Sequence, residues 1–104
     1  MKPWLGMALA AAAFLAPPQV LAGDVVRVKI EGLAFGPAQL SVHVGDTVEW
    51  ENADFVAHTA TELHGAFDVM IPAGATRRLL LKQAGTFEYD CRFHPTMKGE
   101  LRVM

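Results

Sequence analysis

From Asp24 onward, apolar and polar residues alternate with a period of two, and glycine, proline and asparagine interrupt the runs. Such alternation puts successive side chains on opposite faces of an extended chain, so it predicts short strands with one dry and one wet side. Val26, Val28 and Ile30 share one face while Arg27 and Lys29 share the other. Leu40, Val42 and Val44 repeat the pattern against Ser41 and His43, and Gly45-Asp46 turns the chain into Thr47-Val48-Glu49-Trp50. Further strands are expected over 56–61, 76–81, 86–90 and 99–103, with turns at Pro72-Ala73-Gly74 and Ala84-Gly85. No apolar 3.6-residue period long enough for a substantial helix follows Gly23, and there are no repeats or low-complexity linkers. Six or seven short antiparallel strands predict an all-β sandwich. Val48, Trp50, Leu79, Leu81, Phe87, Tyr89, Leu101 and Val103 are the candidates for its two inward faces. Tyr89, two residues before Cys91, also offers a tyrosine corner.

The first 22 residues read differently. Met1-Lys2-Pro3, an apolar run from Trp4 to Ala16, Pro17-Pro18 and then Val20-Leu21-Ala22 follow the charged, apolar, small-residue order of a secretory signal peptide. The apolar run is short of the ~20 residues a membrane-spanning helix needs. Cleavage after Ala22 is expected, which leaves one domain over 23–104, a periplasmic location and no stable membrane span; an uncleaved anchor is the alternative. A domain this small has difficulty burying a sufficient core without help. The cleaved chain would carry eight basic residues against eleven acidic ones and has no basic stripe, which argues against a nucleic-acid partner.

Cys91 is the only cysteine, so no intrachain disulfide can supply that help. A bound metal can, because ligands gathered from distant parts of a chain add their binding energy to the folded state. Ligation would also protect an exported thiol from oxidation. Cys91-Arg92-Phe93-His94-Pro95-Thr96-Met97 places a thiolate, an imidazole and a thioether three residues apart at the end of an expected strand. Soft sulfur donors combined with imidazole suit copper. Pro95 fixes its own φ and stiffens the loop. A fourth donor has to come from elsewhere, and His58 is the best placed, at the start of a strand after the polar break Glu51-Asn52-Ala53-Asp54. His43, on the wet face of its strand, and His64, at a loop tip beside Gly65, are weaker choices.

Gly45-Asp46-Thr47-Val48-Glu49-Trp50, Ala57-His58-Thr59, Ala84-Gly85-Thr86-Phe87-Glu88-Tyr89-Asp90-Cys91 and Cys91-x-x-His94-Pro95-x-Met97-Lys98-Gly99 resemble, in order and spacing, the cupredoxin family of type 1 blue copper proteins. The two-residue gaps on either side of His94 are most like its amicyanin branch. The resemblance implies a Greek-key sandwich of about seven strands. It also implies one type 1 copper ion with His58, Cys91 and His94 as equatorial ligands and Met97 as the axial one. Many members carry asparagine directly after the first histidine, where it ties the two ligand loops together; this chain has Thr59. The stretch from Glu62 to Ala75 has no obvious amicyanin counterpart.

The reading that follows is a monomeric carrier of single electrons between a redox donor and acceptor, such as a c-type cytochrome or a dehydrogenase. The edge of His94 would be its port, with Phe93, Pro95, Met97 and Phe35 or Pro37 around it and Arg92 and Lys98 at its flanks. A copper-binding and delivery module without electron transfer is the alternative, since the same soft ligands hold Cu(I). An enzyme is not expected. A Cys–His nucleophile needs a cleft that so small a sandwich does not offer, no His-x-His pair supplies further copper ligands, and no Cys-x-x-Cys-His attaches haem.

Overall fold

A computed structural model of the chain describes residues 23–104; the expected secretory segment and its cleavage point lie outside them. The described residues form nine strands: β1 (Val25–Ile30), β2 (Phe35–Gly36), β3 (Gln39–Val42), β4 (Thr47–Asn52), β5 (His58–Glu62), β6 (Asp68–Ile71), β7 (Thr76–Leu80), β8 (Gly85–Asp90) and β9 (Lys98–Val103). They make a sandwich of two sheets, ordered β2-β1-β4-β7 and β3-β9-β8-β5-β6.

The all-β sandwich matches the alternation, but the strand count and pairing differ from expectation. Two strands beyond the expected seven appear, β2 and β6. β2 is only two residues long, and in β6 the outward Met70 hides an otherwise regular alternation, with Asp68 and Met70 exposed and Ile71 buried. The sheets are mixed: β1 pairs with β4 and β3 with β9 in parallel. Alternation fixes which face a residue takes and says nothing about which strand lies alongside. Val44 and Val56 also fall outside strands and are half exposed.

Val28, Ile30, Val48, Trp50, Ile71, Leu81, Tyr89, Leu101 and Val103 fill the space between the sheets, with Leu79 and Phe87 partly buried against them. Tyr89 does not form a tyrosine corner. Its hydroxyl accepts a hydrogen bond from the Trp50 indole N–H at 3.3 Å, across the core.

On the outer face of the first sheet the β1, β4 and β7 registers bring Arg27, Glu49 and Arg78 into line. Glu49 accepts from both guanidinium groups, each at 2.7 Å, which lets a carboxylate sit buried. Arg27 first and then Arg78 hold its carboxyl below the ordinary value, against a smaller opposing effect of burial. A depressed carboxyl stabilises the fold above the ordinary carboxylate range, and that contribution is lost as pH falls through the folded-state value. Thermal melting of metal-free protein from pH 7 to pH 3 should therefore show a steep acid loss, and Glu49→Gln should flatten part of it while lowering the neutral-pH melting point. Equal acid slopes for the two proteins would refute the assignment.

The strand ends that matter chemically gather at one end of the sandwich. Pairing of Thr61 with Asp90 and of Asp90 with Lys98 sets the β8–β9 loop beside the start of β5. Ile30 and Asn52 end their paired strands there as well.

Candidate metal centre

The β8–β9 loop holds itself in shape. The His94 N–H donates to the Cys91 carbonyl at 3.2 Å, the Met97 N–H to the His94 carbonyl at 2.8 Å, and the Cys91 N–H to the Met97 carbonyl at 3.2 Å. Two successive turns closed by a third bond leave little freedom at residues 91, 94 and 97. Pro95 falls inside the second turn, where its missing N–H costs no bond.

The β4–β5 connection is held from below by Asn52. Its side-chain amide donates to the carbonyls of Val56, Ile71 and Pro72 at 2.9, 3.1 and 3.2 Å, and its oxygen accepts from the Asp54 N–H at 2.9 Å. Asp54 in turn accepts from the N–H groups of Gly32 and Leu33 and meets His58 Nε2 at 2.8 Å. The Leu33 and Gly32 N–H groups, and then His58, hold the Asp54 carboxyl below its ordinary value. An ionised carboxylate can only accept, so Nε2 carries the proton and Nδ1 of His58 offers a lone pair.

That lone pair points at the thiol. Cys91 Sγ lies 3.7 Å from His58 Nδ1 and 3.7 Å from His94 Nδ1. The three donor atoms lie within 4.8 Å of one another. Bonds of about 2.0–2.1 Å to nitrogen and about 2.3 Å to sulfur, opened to about 120°, separate N from S by about 3.7 Å. The spacing thus fits one first-row metal ion. His58 and Cys91 are fully buried, His94 is partly exposed, and Met97 is buried on the same loop.

Burial pushes the Cys91 thiol up, but the polar groups packed around the sulfur, the Thr59 N–H first among them, outweigh it and bring the thiol down to about 6. The Thr59 N–H reaches the sulfur at 3.4 Å. The donor set is therefore a ready thiolate with two imidazoles around it.

Of the residues expected at the site, His58, Cys91 and His94 come together, with Met97 buried on the loop that carries two of them. His43 and His64 are exposed side chains on turns elsewhere, beside the carboxylates of Asp46 and Glu62. The expected surface around His94 needs correcting. Phe35 is a core residue packed edge-on against Tyr89 with ring centroids 4.8 Å apart, and Met97 is too buried to face a partner. Exposed apolar side chains come instead from Phe93 and from Leu33, Phe55 and Val56, on segments tied together by Asp54 and Asn52. Asp54 and Asn52 went unrecognised in the sequence as supports of the site. A carboxylate close to a ligand-type histidine was the available signal, but Glu51 and Asp54 carry it equally.

A family model described as a cupredoxin-like domain matches residues 5–103. The chain belongs to the cupredoxin family. Amicyanin of Paracoccus denitrificans is 31% identical over 89 residues, which cover 80% of this chain and 68% of that protein. Amicyanin-alpha of Methylorubrum extorquens is 31% identical over 102 residues, covering 92% and 85% respectively. Among solved structures, a methionine-to-alanine mutant of amicyanin in its Cu(I) form superposes with a TM-score of 0.72 at 28% identity, over 81% of this chain and 86% of that one. This amicyanin-like cupredoxin is an electron carrier that uses one type 1 copper ion, and is not an enzyme.

Proposed function

We propose that this cupredoxin works in the periplasm, taking single electrons from one redox protein and giving them to another, with His58, Cys91, His94 and Met97 as its copper ligands. The observation that carries the reading is the equal 3.7 Å spacing of Cys91 Sγ from two imidazole Nδ1 atoms on two separately braced loops. Bound copper supplies the chemistry by cycling between Cu(I) and Cu(II) in a site acceptable to both states. The protein's part is to keep the donors still. Asp54 fixes the ring of His58, the three backbone bonds fix the 91–97 loop, and burial of His58 and Cys91 excludes water.

His94 is the one imidazole of the pair with a partly exposed ring, so its edge is the port for electrons. Phe93, Phe55, Val56 and Leu33 supply an apolar surface on the neighbouring loops. Redox encounters are weak and need only a small interface, which such a surface provides. Arg92 stacks over the Phe93 ring at 5.6 Å and pairs with Asp68 at 3.3 Å, so Lys98 is the freer cation for steering an acidic partner. An optical spectrum and voltammogram of the copper-loaded protein test the proposal. Intense visible thiolate-to-Cu(II) absorption with reversible one-electron cycling is expected. Copper binding without either would leave a delivery role instead.

A further inference from the structure

Thr59 stands where many cupredoxins have asparagine, and its surroundings form a closed hydrogen-bonded circuit. The Arg92 backbone N–H donates to Thr59 Oγ1 at 2.8 Å. Thr59 Oγ1 lies 2.8 Å from Thr61 Oγ1, the next outward residue of β5. Thr61 Oγ1 donates to Asp68 Oδ1 at 2.8 Å, on the neighbouring strand β6. Asp68 Oδ1 also accepts from Arg92 Nε at 3.3 Å, which returns the path to the residue where it began.

The direction of each proton follows from the carboxylate. A charged Asp68 accepts only, so the single hydroxyl proton of Thr61 goes to it. Thr61 is then the acceptor toward Thr59, and Thr59 must donate its own proton outward. That leaves the Thr59 oxygen lone pairs aimed at the Arg92 N–H. The Thr61 hydrogen bond, and after it the Arg92 guanidinium, hold the Asp68 carboxyl below its ordinary value despite some desolvation. Thr59 also gives its backbone N–H to the Cys91 sulfur, so one buried residue grips both Cys91 and its successor.

We propose that Asp68 and Thr61 are positioning residues for the metal centre: they orient the Thr59 hydroxyl, which fixes the Cys91–Arg92 peptide and with it the sulfur. The proposal rests on the copper reading of the site for its consequence, but its contacts belong to the protein alone. A surface carboxylate on the β5–β6 hairpin, whose side chain touches no ligand in any contact above, thereby sets the thiolate's place. Asparagine would span the two loops with its own amide, whereas a single hydroxyl needs an outside acceptor to point it.

The test uses Asp68→Ala, Thr61→Val and the conservative Thr61→Ser, read in two ways. In metal-free protein, amide exchange at Arg92 should quicken about fivefold to tenfold in Asp68→Ala and Thr61→Val, the loss of roughly one hydrogen bond. Thr61→Ser should retain wild-type protection, and amides in the β1–β4 pair should not change in any variant. In copper-loaded protein the first two variants should shift the reduction potential and the thiolate-to-metal absorption, while Thr61→Ser should not. Unchanged Arg92 exchange in both disruptive variants would overturn the proposal, as would equal loosening in Thr61→Ser. A wild type lacking the thiolate-to-Cu(II) band would sink the copper reading instead, and the metal-free exchange data would still decide the circuit.

Discussion

Cys91→Ser is expected to fold and to be colourless after copper loading, with affinity for the ion lowered by more than about a hundredfold. Loss of an outer partner of a ligand already costs tenfold to a hundredfold, and this change removes a donor atom itself. The visible band requires a thiolate, which a serine hydroxyl cannot replace, because it does not ionise near neutral pH and is a hard donor. Burial pushes the wild-type thiol up, but the polar groups around the sulfur, the Thr59 N–H first, hold it down to about 6. The fold should persist, because the largest buried side chains, Trp50 and Tyr89, make their aromatic contacts without Cys91. Far-UV circular dichroism of the metal-free variant checks the fold, and a copper titration followed optically checks the site. Met97→Ala is the control from the other sulfur of the loop: it should keep a coloured copper centre with a changed potential. A Cys91→Ser protein that stays coloured would exclude this thiolate as a ligand.

Gly99→Ala is expected to destabilise the protein by about 3 kcal/mol or more, near the upper end of what overpacking a core costs. Gly99 faces Tyr89 directly across the β8–β9 pair. A Cβ there would meet the Tyr89 ring, with Cζ and the hydroxyl oxygen within 2.5 Å. The ring cannot step aside. Phe35 lies against it at 4.8 Å, Trp50 at 5.7 Å and Phe67 at 5.9 Å between centroids, and Trp50 donates to its hydroxyl. For a domain of this size the melting temperature should fall by more than about 10 °C. Tyr89→Leu should cost stability alone yet recover part of the Gly99→Ala loss in the double variant, the non-additivity expected of residues in contact. Additive losses would show that Gly99 acts through something other than the ring. The residue lies two positions after Met97, so a displaced β9 would also move the 91–97 loop.

The site was partly legible before folding because its chemistry is concentrated. Cys91, His94 and Met97 sit on one seven-residue stretch, and the lone thiol in a chain with an export-type start had few other roles. His58 was legible as the histidine at a strand start, against His43 on a wet face and His64 at a loop tip. The supports were not. Asn52 holds three carbonyls and Asp54 binds two N–H groups from residues more than twenty positions away, as well as His58. Nothing local marks such bonds, since a polar break in a loop has the same composition whether its side chains face solvent or the interior. Phe35 shows the reverse error. Near the metal by analogy and followed by glycine and proline, it read as surface, yet β2 turns it under Tyr89.

The sequence by itself determined that this chain is an all-β sandwich with one candidate sulfur-and-imidazole centre on the loop after its penultimate strand. Period-two alternation decides which side chains are dry, and donor chemistry decides which metals suit. Only the tertiary structure decided that the sheets are mixed and which contacts brace His58, Cys91 and His94. It also decided that the Thr59 hydroxyl meets Thr61 and that Thr61 meets Asp68. Strand partners are chosen by the packing of whole sheets, and hydrogen bonds between distant loops exist only once that packing has brought the loops together.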